Sequence, residues 1–241
     1  MTIHMTSILN TAQQEQIQSL IDACRKKEPV TLSFPFDEAD LYTLYEDSGQ
    51  ICSVCAFTQE NEDSFECSAF TDPKFRGQGM FSELLEHAMD ALPEDCQFLF
   101  YTDHKSPDAM AVLDAYEAEL LFHEHMMELS EIPFLPNTAD QSLLMEETMQ
   151  DGALTYHYTS PYGTVFFSVF PSCYYLYSFE IQKQFRGQGH GKQMLSQVLC
   201  DLAARKSMPV RLQVSGDNLP AMALYKKTGF RITETLSCYL Y

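Results

Sequence analysis

Apolar residues recur every three or four positions over residues 10–27, where Ile17, Leu20, Ile21 and Cys24 fall on one face. That spacing predicts an amphipathic helix, with Asn10 or Thr11 to cap it and Pro29 just beyond its basic end. The period then drops to two. Leu41–Tyr45, Ile51–Phe57 and Phe65–Thr71 read as strands, the first two joined around Ser48-Gly49 and the last two by the polar stretch 59–64. A helical period returns after Gly79, with Phe81, Leu84, Leu85, Ala88, Met89 and Leu92 on one face. A strand is expected at Gln97–Thr102, a helix at Pro107–Leu121 and a strand at Phe122–Leu129. The segment 131–140 contains Pro133 and Pro136, breaks the pattern and reads as a linker. Beyond it the expected strands are Leu143–Glu146, Ala153–Thr159, Thr164–Phe170 and Tyr174–Ile181. A helix opens at His190 with Met194, Leu195, Val198, Leu199 and Leu202 inward, and Val210–Val214 follows as a strand.

Phe75-Arg76-Gly77-Gln78-Gly79 recurs unchanged as Phe185-Arg186-Gly187-Gln188-Gly189. Each copy has a strand before it and an amphipathic helix after it. A repeat this long is too large for a solenoid and implies two tandem copies of one fold. The expected division is therefore 1–130 and 141–241, joined by 131–140. The second copy has no counterpart of the long helix that leads the first.

Chemistry concentrates where the second copy's glycines stand. Gly187, Gly189 and Gly191 remove Cβ atoms where the backbone turns sharply or meets a ligand. A helix opening there points unpaired N–H groups at one spot, with the helix dipole adding positive charge. That is a site for a phosphate or pyrophosphate. The dinucleotide fingerprint is excluded, because Lys192 stands where its third glycine belongs, and the P-loop is excluded because Gln193 follows Lys192. The spacing is instead Arg/Gln-x-x-Gly-x-Gly/Ala, carried by Arg186, Gly189 and Gly191. Further on, Asn218-x-x-Ala221-x-x-Leu224-Tyr225-x-x-x-Gly229-Phe230 forms a second pattern.

Two such motifs in this order and separation resemble the GNAT acetyltransferases, with the first half of the chain as a degenerate copy. The resemblance implies an α/β (α+β) fold: two tandem acyl-CoA N-acyltransferase domains, each a mixed, mostly antiparallel sheet flanked by helices. It implies transfer of the acetyl group of acetyl-CoA to an amine by direct attack, without a covalent enzyme intermediate. Arg186, Gly187, Gln188, Gly189, His190, Gly191 and Lys192 would then meet the pyrophosphate. Phe179 and Ile181 would lie beside the pantetheine arm, with the Ile181 N–H on the thioester carbonyl, and Asn218 would complete the coenzyme contacts. Tyr225 takes the place of the family's proton donor to the leaving thiolate and also contacts the coenzyme. Glu180 is a candidate base, with His157, Asp217 and acidic groups of the first half left open. In the first copy Phe81 replaces Gly191, Ser106 stands at the Asn218 position and Leu113 at the Tyr225 position. That copy is expected to be non-catalytic. The alternative for the whole chain is a weakly active acetyl-CoA sensor or scaffold.

Charge narrows the partner. The net charge of −19 is uneven: residues 1–140 carry six Lys/Arg against twenty-seven Asp/Glu, and residues 141–241 nine against seven. An acidic half argues against nucleic acid, which needs clustered cations. It suits a cationic small-molecule or peptide amine, expected in a cleft between the copies. A monomer or a homodimer fits equally. No apolar run is long enough for a membrane helix, and the start has no basic segment followed by an apolar one. The expected location is cytoplasmic, with the eight cysteines as reduced thiols. Cys52-x-x-Cys55 reads as packed thiols, and His123-Glu124-His125 lacks a third ligand, so no metal is expected.

Overall fold

A computed structural model describes residues 2–132, 143–150 and 152–241. All but the first two residues of the expected linker lie outside the described residues. The chain divides into two compact units, Met1–Phe122 with Leu236–Tyr241, and His123–Thr235. The first unit contains β1 (Thr2–Thr6), α1 (Thr11–Lys27), β2 (Leu41–Asp47), β3 (Gln50–Asn61), β4 (Ser64–Thr71), α2 (Met80–Ala91), β5 (Gln97–Thr102) and α3 (Pro107–Ala115). Next comes β6 (Glu119–Leu129). The second unit continues with β7 (Leu144–Gln150), β8 (Ala153–Ser160), β9 (Gly163–Val169), β10 (Tyr174–Ile181), α4 (His190–Arg205), β11 (Val210–Ser215) and α5 (Leu219–Thr228). Strand β12 (Arg231–Leu240) closes the chain.

The division differs from the expected one at both ends. Strand β6 follows the first copy's last helix, yet its residues Glu124–Leu129 pair with β11 of the second unit. Strand β12 follows the second copy's last helix, yet Ser237–Leu240 pair with β5 of the first. The copies have therefore exchanged their equivalent final strands. Hydrophobic patterning cannot report this, because either partner offers the same ladder and the same kind of face. The helix expected to reach Leu121 stops at Ala115. Glu117 turns the chain with a φ of +51°, and Leu120 and Leu121 enter β6 half exposed. Strands β1 and β12 were not anticipated from the pattern.

The strand order in the first unit is β1-β2-β3-β4-β5 with the end of β12 beside β5; in the second it is β6-β11-β10-β9-β8-β7. The β4–β5 and β10–β11 pairs are parallel and the other registered pairs antiparallel. The first unit buries both faces of its sheet. Ile17, Leu20, Ile21 and Cys24 of α1 pack on Tyr42, Leu44, Val54 and Ala56. Leu84, Leu85 and Ala88 of α2 pack on Phe57, Phe65, Phe98 and Phe100 from the other side. Asn10 starts α1 with a capping box, accepting from the Gln13 N–H while the Gln13 side chain takes the Asn10 N–H.

The second unit has one core, on one face. Met194, Leu195, Val198, Leu199 and Leu202 of α4, with Met222 and Tyr225 of α5, pack on Tyr156, Tyr158, Val165, Phe167, Tyr174 and Leu176. The Tyr158 hydroxyl donates to Asp201 at 2.6 Å and fixes the far half of α4 to β8. The helices of this unit among the described residues, α4 and α5, both pack on that face. No helix of the described residues is long and apolar enough to cross a membrane.

Candidate functional site

The site is built around a defect in β10. Tyr174, Tyr175 and Leu176 pair in parallel with Val210, Arg211 and Leu212, and the pairing stops there. Against β9, the register shifts between Tyr177 and Glu180, and Ser178 takes a φ of +48°. This bulge swings Phe179 and Ile181 onto the core side, where both pack against the cluster under α4. Beyond it Gln182 donates its N–H to the Tyr162 carbonyl at 2.9 Å. In an antiparallel ladder neighbouring residues direct their backbone groups to opposite sides. The Ile181 N–H therefore points away from β9, into the gap that β11 has left. The Ile181 carbonyl, directed the same way, accepts from Arg186 Nε at 2.8 Å.

Gly163 makes the bulge possible. A Cβ there would stand 2.1 Å from the Glu180 carbonyl oxygen and 2.8 Å from the Ile181 side chain. Gly163→Ala is expected to cost about 1–3 kcal/mol by overpacking and to push β10 out of place. A lowered Tm together with weaker acetyl-CoA binding in calorimetry would report both effects; an unchanged protein would show that the approach is not needed. Gly163 was not singled out in the sequence, although Pro161-Tyr162-Gly163 between two strand-like runs is a turn signal.

The loop after β10 is a tight turn, Lys183–Phe185, followed by Arg186. Gly187 and Gly189 take φ of +75° and +87°, a region costly for a residue with a side chain. Gly189 caps α4 with no side chain in the cap, so the first N–H groups of the helix are left open. Gln188 is not aimed at this opening: its side chain donates back to the Gln184 carbonyl at 2.8 Å. Gly191 lies inside the first turn. A Cβ there would meet Ile181, Leu224 and Phe179 at 3.5–4.0 Å, so the loop, β10 and α5 close together at this glycine.

His190 stacks on Tyr162, with ring centroids 3.7 Å apart, and stands edge-on to Phe185. Its Nδ1 is buried without a partner among the described residues. Lys192 is exposed on the first turn of α4. Arg186 meets Glu180 at 3.4 Å, with side chains 58% and 68% exposed. Asn218 caps α5, its side-chain oxygen accepting from the Ala221 N–H at 3.2 Å. Its observed work is thus structural. Tyr225 is 6% exposed, with its ring on Phe230. Its hydroxyl has no hydrogen-bond partner among the described residues, and burial pushes its pKa up to about 12. His123 and His125 stack on one another, and His125 bonds to Thr235 through Nδ1 at 2.9 Å. Among the described residues no group of three His, Cys, Asp or Glu side chains could hold a metal ion.

The first copy repeats the loop and fills it. Gly77 and Gly79 are left-handed like their counterparts, with φ of +72° and +83°. Arg76 Nε donates to the Thr71 carbonyl at 3.1 Å, the same anchor that Arg186 makes five residues back. Here, however, the guanidinium is turned inward, onto Glu28 and Asp108, each at 2.9 Å. Those contacts hold the Asp108 carboxyl below its usual range. Phe81 stands where the second copy has Gly191. Its ring packs edge-on against Phe100 and Tyr116, and Tyr241 closes the group against both. The glycine-lined approach between strand and helix in the second unit is an aromatic plug in the first.

The sequence matches the family model for acetyltransferases of the GNAT family twice, over residues 7–122 and 112–230. The chain belongs to the GNAT family. No curated protein matches the sequence. Among solved structures, a GCN5-related N-acetyltransferase from Sphaerobacter thermophilus is similar at a TM-score of 0.67 and 14% identity, covering 99% of this chain and 95% of that one. A tandem GNAT protein from the clavulanic acid biosynthesis pathway aligns at 0.68 and 12% identity, over 100% and 98%. A GNAT-family acetyltransferase from Colwellia psychrerythraea aligns at 0.62 and 11%, over 99% of each chain. At these identities the likeness is one of fold. It supports two GNAT copies in one chain, each a mixed, mostly antiparallel sheet with helices.

Proposed function

We propose that the second unit transfers the acetyl group of acetyl-CoA to an amine, and that the first unit binds no coenzyme. The observation that carries this is the pairing of two open features. The Ile181 N–H faces the gap between β10 and β11, and the uncapped start of α4 lies one loop away. The open N–H groups of α4 suit a pyrophosphate, and the buried, unpartnered Nδ1 of His190 suits the same anion when it carries a proton. Gly187, Gly189 and Gly191 keep the approach free of side chains; Arg186 and Lys192 add charge from its rim. Phe179 and Ile181 would flank the pantetheine arm.

The chemistry asked of the chain is modest. The Ile181 N–H would polarise the thioester carbonyl, and holding amine and thioester together supplies much of the rate. Glu180, exposed at the bulge, would take the amine's proton directly or through water. Tyr225 stays protonated well above neutral pH and is placed in the core under α4 and α5, the side to which the thiolate would leave. The first unit's equivalents are spent: Arg76 on carboxylates, Phe81 on its aromatic neighbours.

Calorimetric titration with acetyl-CoA is expected to give one site per chain, lost in Gly189→Trp, since an L-residue resists the φ of +87° and the indole would stand at the opening of α4. Two equivalent sites, or undiminished binding in the variant, would overturn the assignment. Release of free CoA thiol in the presence of amines separates an enzyme from a coenzyme sensor.

A further inference from the structure

We propose that the acceptor is a linear aliphatic polyamine with at least two ammonium groups, lying across β7–β10 on the sheet face opposite α4; this rests on the acetyl-transfer reading above. Helices α4 and α5 fill one face of the second unit's sheet, and the coenzyme loop opens at the N-terminus of α4. The amine must then reach the thioester from the other face, through the gap beside Ile181.

That face carries a distinctive row. Glu146 pairs with His157, His157 with Phe166, and Phe166 with Tyr177, so one residue from each of four strands stands in line. The His157 and Phe166 rings are stacked at 4.0 Å and 5° between planes, and Phe166 and Tyr177 at 5.5 Å and 28°. The Tyr177 hydroxyl donates to Gln150 Oε1 on β7 at 3.4 Å, so its ring leans along the sheet, and the stacked rings form an apolar ridge. Two carboxylates flank the row: Glu146, exposed, is its β7 member, and Glu180 lies past its β10 end, opposite Thr164 and beside the reacting gap. Three strand spacings of about 4.8 Å and an offset of two residues at about 3.3 Å each put the two positions about 16 Å apart. A triamine or tetramine spans that distance with methylenes on the ridge and an ammonium at either carboxylate. A monoamine reaches only one.

The histidine fits the same ligand. The Thr164 hydroxyl donates to the Tyr158 carbonyl at 3.2 Å, so its oxygen accepts from His157 Nε2 at 2.6 Å. In the neutral ring Nδ1 is then the acceptor, available to an ammonium N–H. Thr155, on the same face of β8, is 1% exposed and its hydroxyl has no partner among the described residues. The Glu180–Arg186 contact is between exposed side chains and worth little, so it exchanges readily for an ammonium.

The test is titration of spermidine and of n-butylamine into the full chain, and into Glu146→Gln, with thiol release from acetyl-CoA followed separately. Spermidine is expected to bind about tenfold or more tightly than butylamine, a difference of about 1.4 kcal/mol. Glu146→Gln should erase most of that preference while leaving butylamine and acetyl-CoA affinities unchanged. Equal binding of the two amines, or a spermidine affinity indifferent to Glu146→Gln, overturns the proposal. Glu146-dependent spermidine binding without thiol release supports the site and counts against acetyl transfer. Thiol release with another amine, and no spermidine binding, does the reverse.

Discussion

Arg76→Ala is expected to destabilise the first unit by about 3–5 kcal/mol, the range for stripping one partner from a buried ion pair. The side chains of Arg76 and Glu28 are only 16% and 11% exposed, and Asp108 joins them at 2.9 Å. Removing the guanidinium leaves the Glu28 carboxylate shut in without its counter-ion. The equivalent change in the second copy, Arg186→Ala, removes an exposed contact and should cost under about 1 kcal/mol. It should instead weaken acetyl-CoA binding. Urea unfolding of both variants, followed by calorimetry with the coenzyme, checks the pair. Two units need not unfold in one transition, so the loss is sought in whichever step Arg76→Ala displaces. Equal stability losses in the two variants would mean that the arginines still do the same job. The same residue, on the same backbone anchor, is thus structural in one copy and open to ligand in the other. What separates them is whether carboxylates from α3 and the end of α1 reach the guanidinium.

Tyr225→Phe should lower kcat by about a hundredfold or more, as loss of a positioned proton donor does, while the dissociation constant of acetyl-CoA stays near that of the unaltered protein. The ring that packs on Phe230 is retained and only the hydroxyl goes, so binding and folding should survive. Because burial pushes the Tyr225 pKa up to about 12, the group stays protonated through neutral and mildly alkaline pH. An alkaline fall in kcat below about pH 10 therefore has another origin. Single-turnover kinetics isolates the chemical step. An unchanged chemical rate in the phenylalanine variant would remove Tyr225 from the reaction and leave it as a core residue.

The candidate site was legible wherever the proposed chemistry asks for a residue type that local structure also needs. Gly187, Gly189 and Gly191 stood out because left-handed turns and close packing exclude side chains, and Tyr225 because its motif sits on one short helix. Asn218 was legible as a motif position, but its side chain is engaged in capping α5. Gly163, Tyr162 and Phe185 were missed, since their value comes from β9 and the loop being folded against β10 and His190. The row Glu146–His157–Phe166–Tyr177 is not visible at all in one dimension. It draws on four strands and exists only through their register.

The sequence by itself determined the period of nearly every element, the duplication, the family and the inequality of the two copies, because each is written in local spacing and in residues that tolerate few substitutes. It could not determine which copy each final strand would join. Strands β6 and β12 present equivalent edges, and the choice between equivalent partners is made by chain connectivity and packing in three dimensions. Nor could it show that Ser178 bends β10 or that Phe81 turns inward. A bulge and a rotamer are decided by the space that neighbouring elements leave, and that space exists only after the units have folded.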